Sequence, residues 1–488
     1  MTAGQHPLPQ AARDRWLSLD GTWEVLLEPG GAPRPIDVPF TFEAPLSGIG
    51  AGDEVHERLR YRRTFRVPEA WSGLHVLLRF GAVDWRATIR LDGEELGTHE
   101  GGYAHFSFEL GPLAGEHEVE VDVLDPADDA AGQPKGKQRG SHGIWYTRTT
   151  GLWRSVWLEA VPKEHIVDAS LQVALDGTVT GAAGVEVEVL GLAGEPRLWT
   201  PAHPHLYDVL LRLGDDVVRS YVGFRTIERH GRELLLNGEP LRIAGVLDQG
   251  FWPDGVYTAP RPDALRADVE AAKALGFNLA RKHVKVEDPR WYAWCDRLGL
   301  LVAQDLPSSH DLSAPAARDR CAREWLELVE QLRGHPSIVL WIAINEDWGE
   351  PPPDFQRSLV AATRSADATR LVIDASGWNQ LDDTDLVDVH DYGSELTKHA
   401  GARDDLPLWF GELGGLSVGT GDFAYRHVDD LAAGYRRIVE QIPGDAAGFV
   451  WTQLTDVEGE QNGLLTHDRR PKCDPGAIRA VNEDFLRA

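Results

Sequence analysis

The chain has 488 residues, 42% of them hydrophobic and 26% charged, and a formal net charge of −28. At about 100–200 residues per domain that length provides for two to four domains, and the composition excludes a collagen-like, wholly disordered or membrane-embedded chain. Acidic residues run through the whole length without gathering into a tail, and a surface of that sign repels phosphate, which excludes nucleic acid as a partner.

Cys295, Cys321 and Cys473 are the only cysteines and show no CxxC spacing, so neither a disulfide framework nor a structural zinc site is expected. The opening stretch MTAGQHPLPQAARDRW lacks an apolar core flanked by basic residues, and no run approaches 18 apolar residues; the reading is a soluble, cytoplasmic protein without a membrane partner. Seventeen tryptophans are many for this length. Some fill cores, but indole faces also stack on the apolar faces of sugar rings, which favours carbohydrate as the ligand. A homo-oligomer is compatible with the sequence.

The first third reads as β. Segments 61–67, 74–80, 87–91 and 117–124 alternate or cluster β-branched and aromatic residues, with turns such as Asp92-Gly93 between them, the rhythm of a β-sandwich. Residues 127–143 form a polar, Gly-rich loop with no packing pattern. Strands are expected again at 185–192, 207–213 and 217–224, in a block short for an immunoglobulin-type sandwich of about 100 residues.

From about 227 strands alternate with helices. Apolar cores at 241–246, 277–281, 300–305, 338–345, 371–376, 386–392, 408–412 and 447–453 make eight strands, the number and spacing of a (β/α)8 barrel. Leu265, Val269 and Ala272 predict a helix over 263–274, and a second over 324–333 ends at Gly334 and Pro336. Neither GxGxxG nor GxxxxGK[ST] occurs to support a nucleotide site.

Barrel chemistry sits at the C-terminal ends of the strands. Those ends supply Asp248 and Trp252 after strand one, Arg281 and His283 after strand two, Asp305 after strand three, Asn345 and Glu346 after strand four, His390 and Tyr392 after strand six, Glu412 in strand seven and Trp451 in strand eight. Converging carboxylates with an arginine, histidines and tryptophans suit glycosidic bond cleavage, in which one carboxyl protonates the leaving oxygen and the other attacks or activates water. No HExxH-like ligand set is present, and this chemistry needs no Lewis acid, so no metal or other cofactor is expected.

The segments GIWYTRTTGLWRSVWLE (143–159), GHPSIVLWIAINE (334–346), WFGELGG (409–415) and WTQLTDVEGEQNGLLTHDRRPK (451–472) resemble, in order, the recurrent motifs of glycoside hydrolase family 2. The resemblance implies a jelly-roll sugar-binding-like domain over 1–165, a shortened immunoglobulin-like sandwich over 166–226 and a catalytic TIM barrel over 227–488. It also implies a retaining exo-glycosidase, with Glu346 as acid/base, Asn345 on the sugar 2-hydroxyl and Glu412 as nucleophile. Asp248, Trp252, Arg281, His283, Asp305, His390, Tyr392 and Trp451 are the expected substrate contacts.

Three departures from the family pattern narrow the substrate. Strand three ends in Asp305 where a glutamate is expected. The stretch GEQNG (459–463) replaces the Asn-x-Lys pair that holds the carboxylate of glucuronides, and places Glu458 and Glu460 on the rim, where they would repel an anionic sugar. GVLDQGFWPDGVYTAP (245–260) lacks the Asn-Arg-His-Glu type of sequence seen after strand one in many relatives. The expected substrate is a terminal neutral sugar of β-galactoside-like configuration, with galactofuranosides, arabinosides or a non-catalytic carbohydrate-binding role as alternatives.

Overall fold

The computed structural model describes residues 6–129, 132–399, 403–418 and 423–487. The outermost residues of the expected first and last domains, and positions 130 and 131 of the 127–143 loop, lie outside that set. The first region is a two-layer antiparallel sandwich. Strands Arg34–Val38, Gly21–Glu28, Arg58–Val67, Gly115–Leu124, Arg86–Leu91 and Glu94–Glu100 pair in that order, and Trp16–Ser18, Val156–Val161, His75–Phe80 and Phe106–Pro112 form the facing sheet. Alternate residues such as Tyr61, Ile89 and Val121 point between the layers and are buried with Trp23 and Leu78, as a period of two requires. The expected Asp92-Gly93 turn is a two-residue hairpin in which both residues have positive φ, 50° and 86°, the conformation that keeps the flanking strands twisted together.

The second region is thinner. Glu186–Val189, Tyr207–Leu213 and Asp216–Val222 make a three-stranded antiparallel sheet beside a small hairpin, Gln172–Val173 with Val179–Thr180. A small sheet of Ile227–His230, Glu233–Leu236 and Glu239–Leu241 leads into the barrel, and its Ile227 and Leu234 join the apolar cluster inside the barrel.

The barrel strands are β1 Ile243–Asp248, β2 Leu279–Lys282, β3 Leu301–Asp305, β4 Ile338–Ile342, β5 Leu371–Ile373, β6 Val387–Asp391, β7 Leu408–Gly414 and β8 Gly448–Thr452. They pair in parallel as β5-β4-β3-β2-β1-β8-β7-β6, so the ring is complete except between β5 and β6. The helices are α1 Pro262–Ala274, α2 Pro289–Leu298, α3 Pro315–Leu332, α4 Pro353–Ala366, α5 Leu431–Val439 and α6 Pro475–Arg487. Proline opens α1 to α4, where its missing N–H costs nothing. Leu265, Val269 and Ala272 are the buried face of α1, as their spacing predicts, whereas α3 starts nine residues before the expected 324. The even alternation of strands and helices does not hold throughout: among the described residues no α-helix lies between β5 and β6 or between β6 and β7.

Ile243, Leu247, Leu279, Leu301, Leu340, Ile342, Ile373 and Val450 form one buried apolar cluster contributed by six of the eight strands. The loop after Leu124 packs, contrary to its sequence reading. Pro134 bridges to Ser309, Lys135 and Gly136 both donate backbone N–H to the Ser308 carbonyl, and Gln133, Lys135, Lys137 and Gln138 are buried. Its composition is polar because its side chains bury ion pairs and hydrogen bonds: Lys135 joins Asp84 at 2.7 Å and Asp125 at 3.0 Å within the first region, and Lys137 reaches Glu460 of the barrel.

Candidate active site

Arg281 stands at the centre of the mouth, fully buried. It donates from Nε to Asp305 (3.0 Å), from Nη2 to Asp305 (3.0 Å), Asn345 (2.8 Å) and Ser376 (3.1 Å), and from Nη1 to the Gly411 carbonyl (3.0 Å) and Glu412 (3.3 Å). The planar fork thus locks β2, β3, β4, β5 and β7 together at their C-terminal ends. Asp305 takes the remaining bonds, from His283 Nδ1 at 2.8 Å and Val284 N at 3.3 Å. Arg281 and Asp305, expected as sugar contacts, are instead committed to holding the site's geometry.

Glu412 lies beside this cation. His390 Nδ1 is 3.6 Å and His283 Nδ1 is 3.9 Å from its carboxylate, and the Tyr392 hydroxyl donates to it. Burial pushes the Glu412 carboxyl upward, but the charges of His390, Arg281 and His283 and the Tyr392 hydrogen bond outweigh it and hold the group down at about 2. Tyr392 is in turn placed by Thr452 Oγ1 at 3.2 Å and by a parallel stack on Tyr425 at 3.7 Å. Gly411 precedes Glu412 because nothing larger fits: a Cβ there would lie 2.1 Å from the Asp388 carboxylate.

Glu346 sits across from Glu412, at a backbone φ of +58°, a left-handed conformation uncommon for residues other than glycine and a form of strain that concentrates at functional sites. His390 Nδ1 bonds to it at 2.8 Å, and Trp348 Nε1 donates to it at 3.2 Å. A ligand atom from each of Glu346, His390 and Glu412 lies within 4.8 Å of the others. Such a triad has the donors for a cation, but its imidazole is already hydrogen-bonded to Glu346. Burial pulls His390 down; Glu412, Glu346 and Asp388 together reverse this and leave its affinity for a proton above the ordinary histidine value. Asn345 accepts from Arg281 and from Ser376 (2.9 Å) through Oδ1 and keeps a buried Nδ2 with no partner, a donor aimed at something the chain does not supply.

The remaining expected contacts divide. His283 stays at the mouth with its second ring nitrogen uncommitted to Asp305. Asp248 pairs with Lys282 at 2.7 Å and accepts from Gly250 N at 2.9 Å. Trp252 is 4% exposed, with Lys285 and Arg469 each 5.0 Å from its ring centre. Trp451 is fully buried, covered by Gly414 and packed at 4.3 Å on Tyr435 of α5. Neither indole offers a sugar a free face; alternation along β8 turns Trp451 outward and Thr452 inward.

Sequence reasoning missed Ser376, legible as the polar residue ending 371–376, and also missed the contribution of the first domain. Lys137, on the loop before Trp145, pairs with Glu460 at 3.2 Å, and Tyr146 donates to the same carboxylate at 2.5 Å, while Asn462 Nδ2 donates to its other oxygen at 3.1 Å. Glu458 accepts from Thr147 N. Glu460 is therefore a buried, cation-paired group and not the bare repelling carboxylate expected on the rim.

Two family models match the chain: "Glycosyl hydrolases family 2, TIM barrel domain" over residues 227–400 and "Glycosyl hydrolases family 2" over 159–225. The chain belongs to glycoside hydrolase family 2. A β-galactosidase of Thermoanaerobacter pseudethanolicus is 27% identical over 68% of this chain and 50% of its own length, and the β-glucuronidase of Canis lupus familiaris is 25% identical over 86% and 80%. The chain thus spans half the length of the first of these relatives. Among solved structures, a family 2 β-galacturonidase from Eisenbergiella tayi (TM-score 0.80, 19% identity, 97% of each chain) and a β-glucuronidase from Ruminococcus gnavus (TM-score 0.80, 18% identity, 98% and 99%) share the fold of this family 2 chain.

Proposed function

We propose that the chain is a retaining exo-glycosidase in which Glu412 is the nucleophile and Glu346 the acid/base. The observation that carries this reading is the approach of the two carboxyls, with oxygens within 4.8 Å, just under the roughly 5–5.5 Å separation of retaining enzymes and too short to seat the water of an inverting one. Glu412, held ionised, forms a bond to the anomeric carbon as the bond to the leaving oxygen breaks and Glu346 gives that oxygen its proton. Water, deprotonated by Glu346, then releases the sugar with its configuration retained. Asn345 Nδ2 is the donor for the sugar 2-hydroxyl, and Arg281 positions Asn345 and Glu412 together.

The reading predicts that Glu412→Gln abolishes the covalent glycosyl-enzyme and lowers kcat by about 1000-fold or more, while Glu346→Ala is rescued on aryl glycosides whose leaving group needs no proton. Inverted product configuration by NMR, or an EDTA-sensitive activity restored by a divalent ion, would overturn it.

For the sugar itself the proposal is a terminal neutral glycone, β-galactoside-like. The buried cations Arg281 and Lys137 support it, since each already has a carboxylate, Asp305 and Glu460, while Lys282 is paired with Asp248 and lies over Trp291 of α2. A uronate is the second reading. The similarity to solved uronidases described as bound to galacturonate and glucuronic acid favours it, and Lys137 is the cation that would exchange Glu460 for the sugar carboxylate. A panel of nitrophenyl glycosides separates the two. Faster turnover of a glucuronide or galacturonide than of the galactoside, lost selectively in Lys137→Met, would establish the uronate reading.

A further inference from the structure

The acid/base carboxyl has aromatic neighbours that the reaction itself does not require. Trp348 donates to Glu346, and its ring lies 4.8 Å from Trp145, 6.1 Å from His283 and 6.3 Å from His310. Trp145 meets His310 edge-on at 5.1 Å and carries the Arg139 guanidinium at 4.9 Å. Trp378, 43% exposed, packs at 5.8 Å on His390, the other partner of Glu346. Indoles therefore flank Glu346 through both of its hydrogen-bond partners, and one wall of rings is built jointly by the first domain and the barrel.

That wall is preformed. Pro134 bridges to Ser309 and Asp311 to Gly349, so the first-domain loop, the loop after β3 and the loop after β4 are joined through their backbones. Most of its polar atoms are taken: Trp348 Nε1 by Glu346, Trp378 Nε1 by Asp347 at 3.3 Å, and the second oxygen of Asp347 by Asn379 at 2.8 Å, while His310 Nε2 is buried without a partner. A second sugar ring needs donors and acceptors at its hydroxyls; a flat aromatic ring needs only faces and edges to pack against.

We propose that this wall is the leaving-group subsite and that it selects planar aromatic aglycones over a second sugar, with Trp145 of the first domain as a specificity-determining residue. The proposal rests on Glu346 being the acid/base, because the group that protonates the leaving oxygen marks the side on which the aglycone lies.

The test compares benzyl, methyl and disaccharide glycosides of one glycone, since benzyl alcohol and methanol are similar in acidity and differ in the ring. In Trp145→Ala the ratio of benzyl to methyl kcat/KM is expected to fall about three- to tenfold, Trp145→Phe to restore most of it, and Trp378→Ala, at an exposed position, to lower it independently. An unchanged ratio in both alanine variants, or a loss on the disaccharide as large as on the benzyl glycoside, overturns the proposal. If the wild type cleaves none of the three, the reaction reading has failed, and the subsite is read by titrating tryptophan fluorescence with the benzyl glycoside. Quenching that weakens in Trp145→Ala supports the subsite, and quenching that does not change overturns it.

Discussion

Two β regions precede the barrel, and they serve it in opposite ways. The first reaches the mouth: Tyr146 and Lys137 hold Glu460, and Trp145 meets Trp348 beside Glu346. The second attaches away from the mouth, through Trp199 Nε1 to the Asp296 carbonyl at 2.7 Å and Tyr221 Oη to the Asp296 carboxylate at 2.7 Å, both near the C-terminal end of α2. Its own surface leaves Val167, Val173, Leu175 and Leu190 exposed. The difference teaches that in this chain one accessory domain is part of the site while the other is a support. Both are fastened by buried polar ties, which are costly unless fully partnered; what separates them is that those of the first region end on Glu460 at the mouth and those of the second on Asp296 of α2.

Lys135→Met should break that contrast most severely. It strands Asp84 and Asp125 in the interior, although Arg148 still reaches Asp125 at 2.8 Å, and removing one partner of a buried pair costs about 3–5 kcal/mol. Urea unfolding should show that loss, and kcat/KM per folded molecule should fall as well because the loop carrying Lys137 and Trp145 is released. Wild-type turnover by the folded fraction would mean the first domain is only a support.

A smaller effect is expected at the tie between the first domain and α3. Glu324 is buried, accepts from Tyr103 N at 2.9 Å and is pushed up by burial to about 8, from 4.5. Between those values the folded state keeps a proton that the unfolded state has released, so this group's contribution to stability falls as pH rises through that window. Glu324→Gln keeps the hydrogen-bond acceptor and removes the titration. Its Tm should decline less than that of the wild type between pH 5 and 8, by at least about 2 °C, and identical slopes would reject the coupling.

The smallest change is expected in the second region. Leu175→Asn, at a half-exposed position, should move stability by no more than about 0.5 kcal/mol and leave kcat/KM alone. A clear loss of activity there would draw the second region into the site as well.

The eight barrel strands and the main strands of the sandwich were legible because their signal is local: apolar runs and alternation over five to ten neighbouring residues, bounded by turn residues. Glu346, Glu412 and Asn345 were legible as polar residues ending such runs, and the resemblance to family 2 motifs assigned their roles. Side-chain direction at the strand ends was not. Trp451 and Thr452 are adjacent, and a shift of one residue reverses which of them faces the mouth; β7 adds an irregularity in its pairing between Phe410 and Leu413. Trp252 was misplaced for a related reason, since only the folded chain brings Lys285 and Arg469 against its ring.

By itself, then, the amino-acid order determined a two-part β region, a parallel barrel and two glutamates at its mouth, through patterns carried by residues close together in the chain. Only the tertiary structure decided that Arg281 and Asp305 hold the site, that Glu460 is neutralised by Lys137, and that residues 132–146 belong to the mouth. Each of those depends on partners from 24 to 323 positions away in the chain, and a buried polar side chain is recognisable as such only when the group that satisfies it is known.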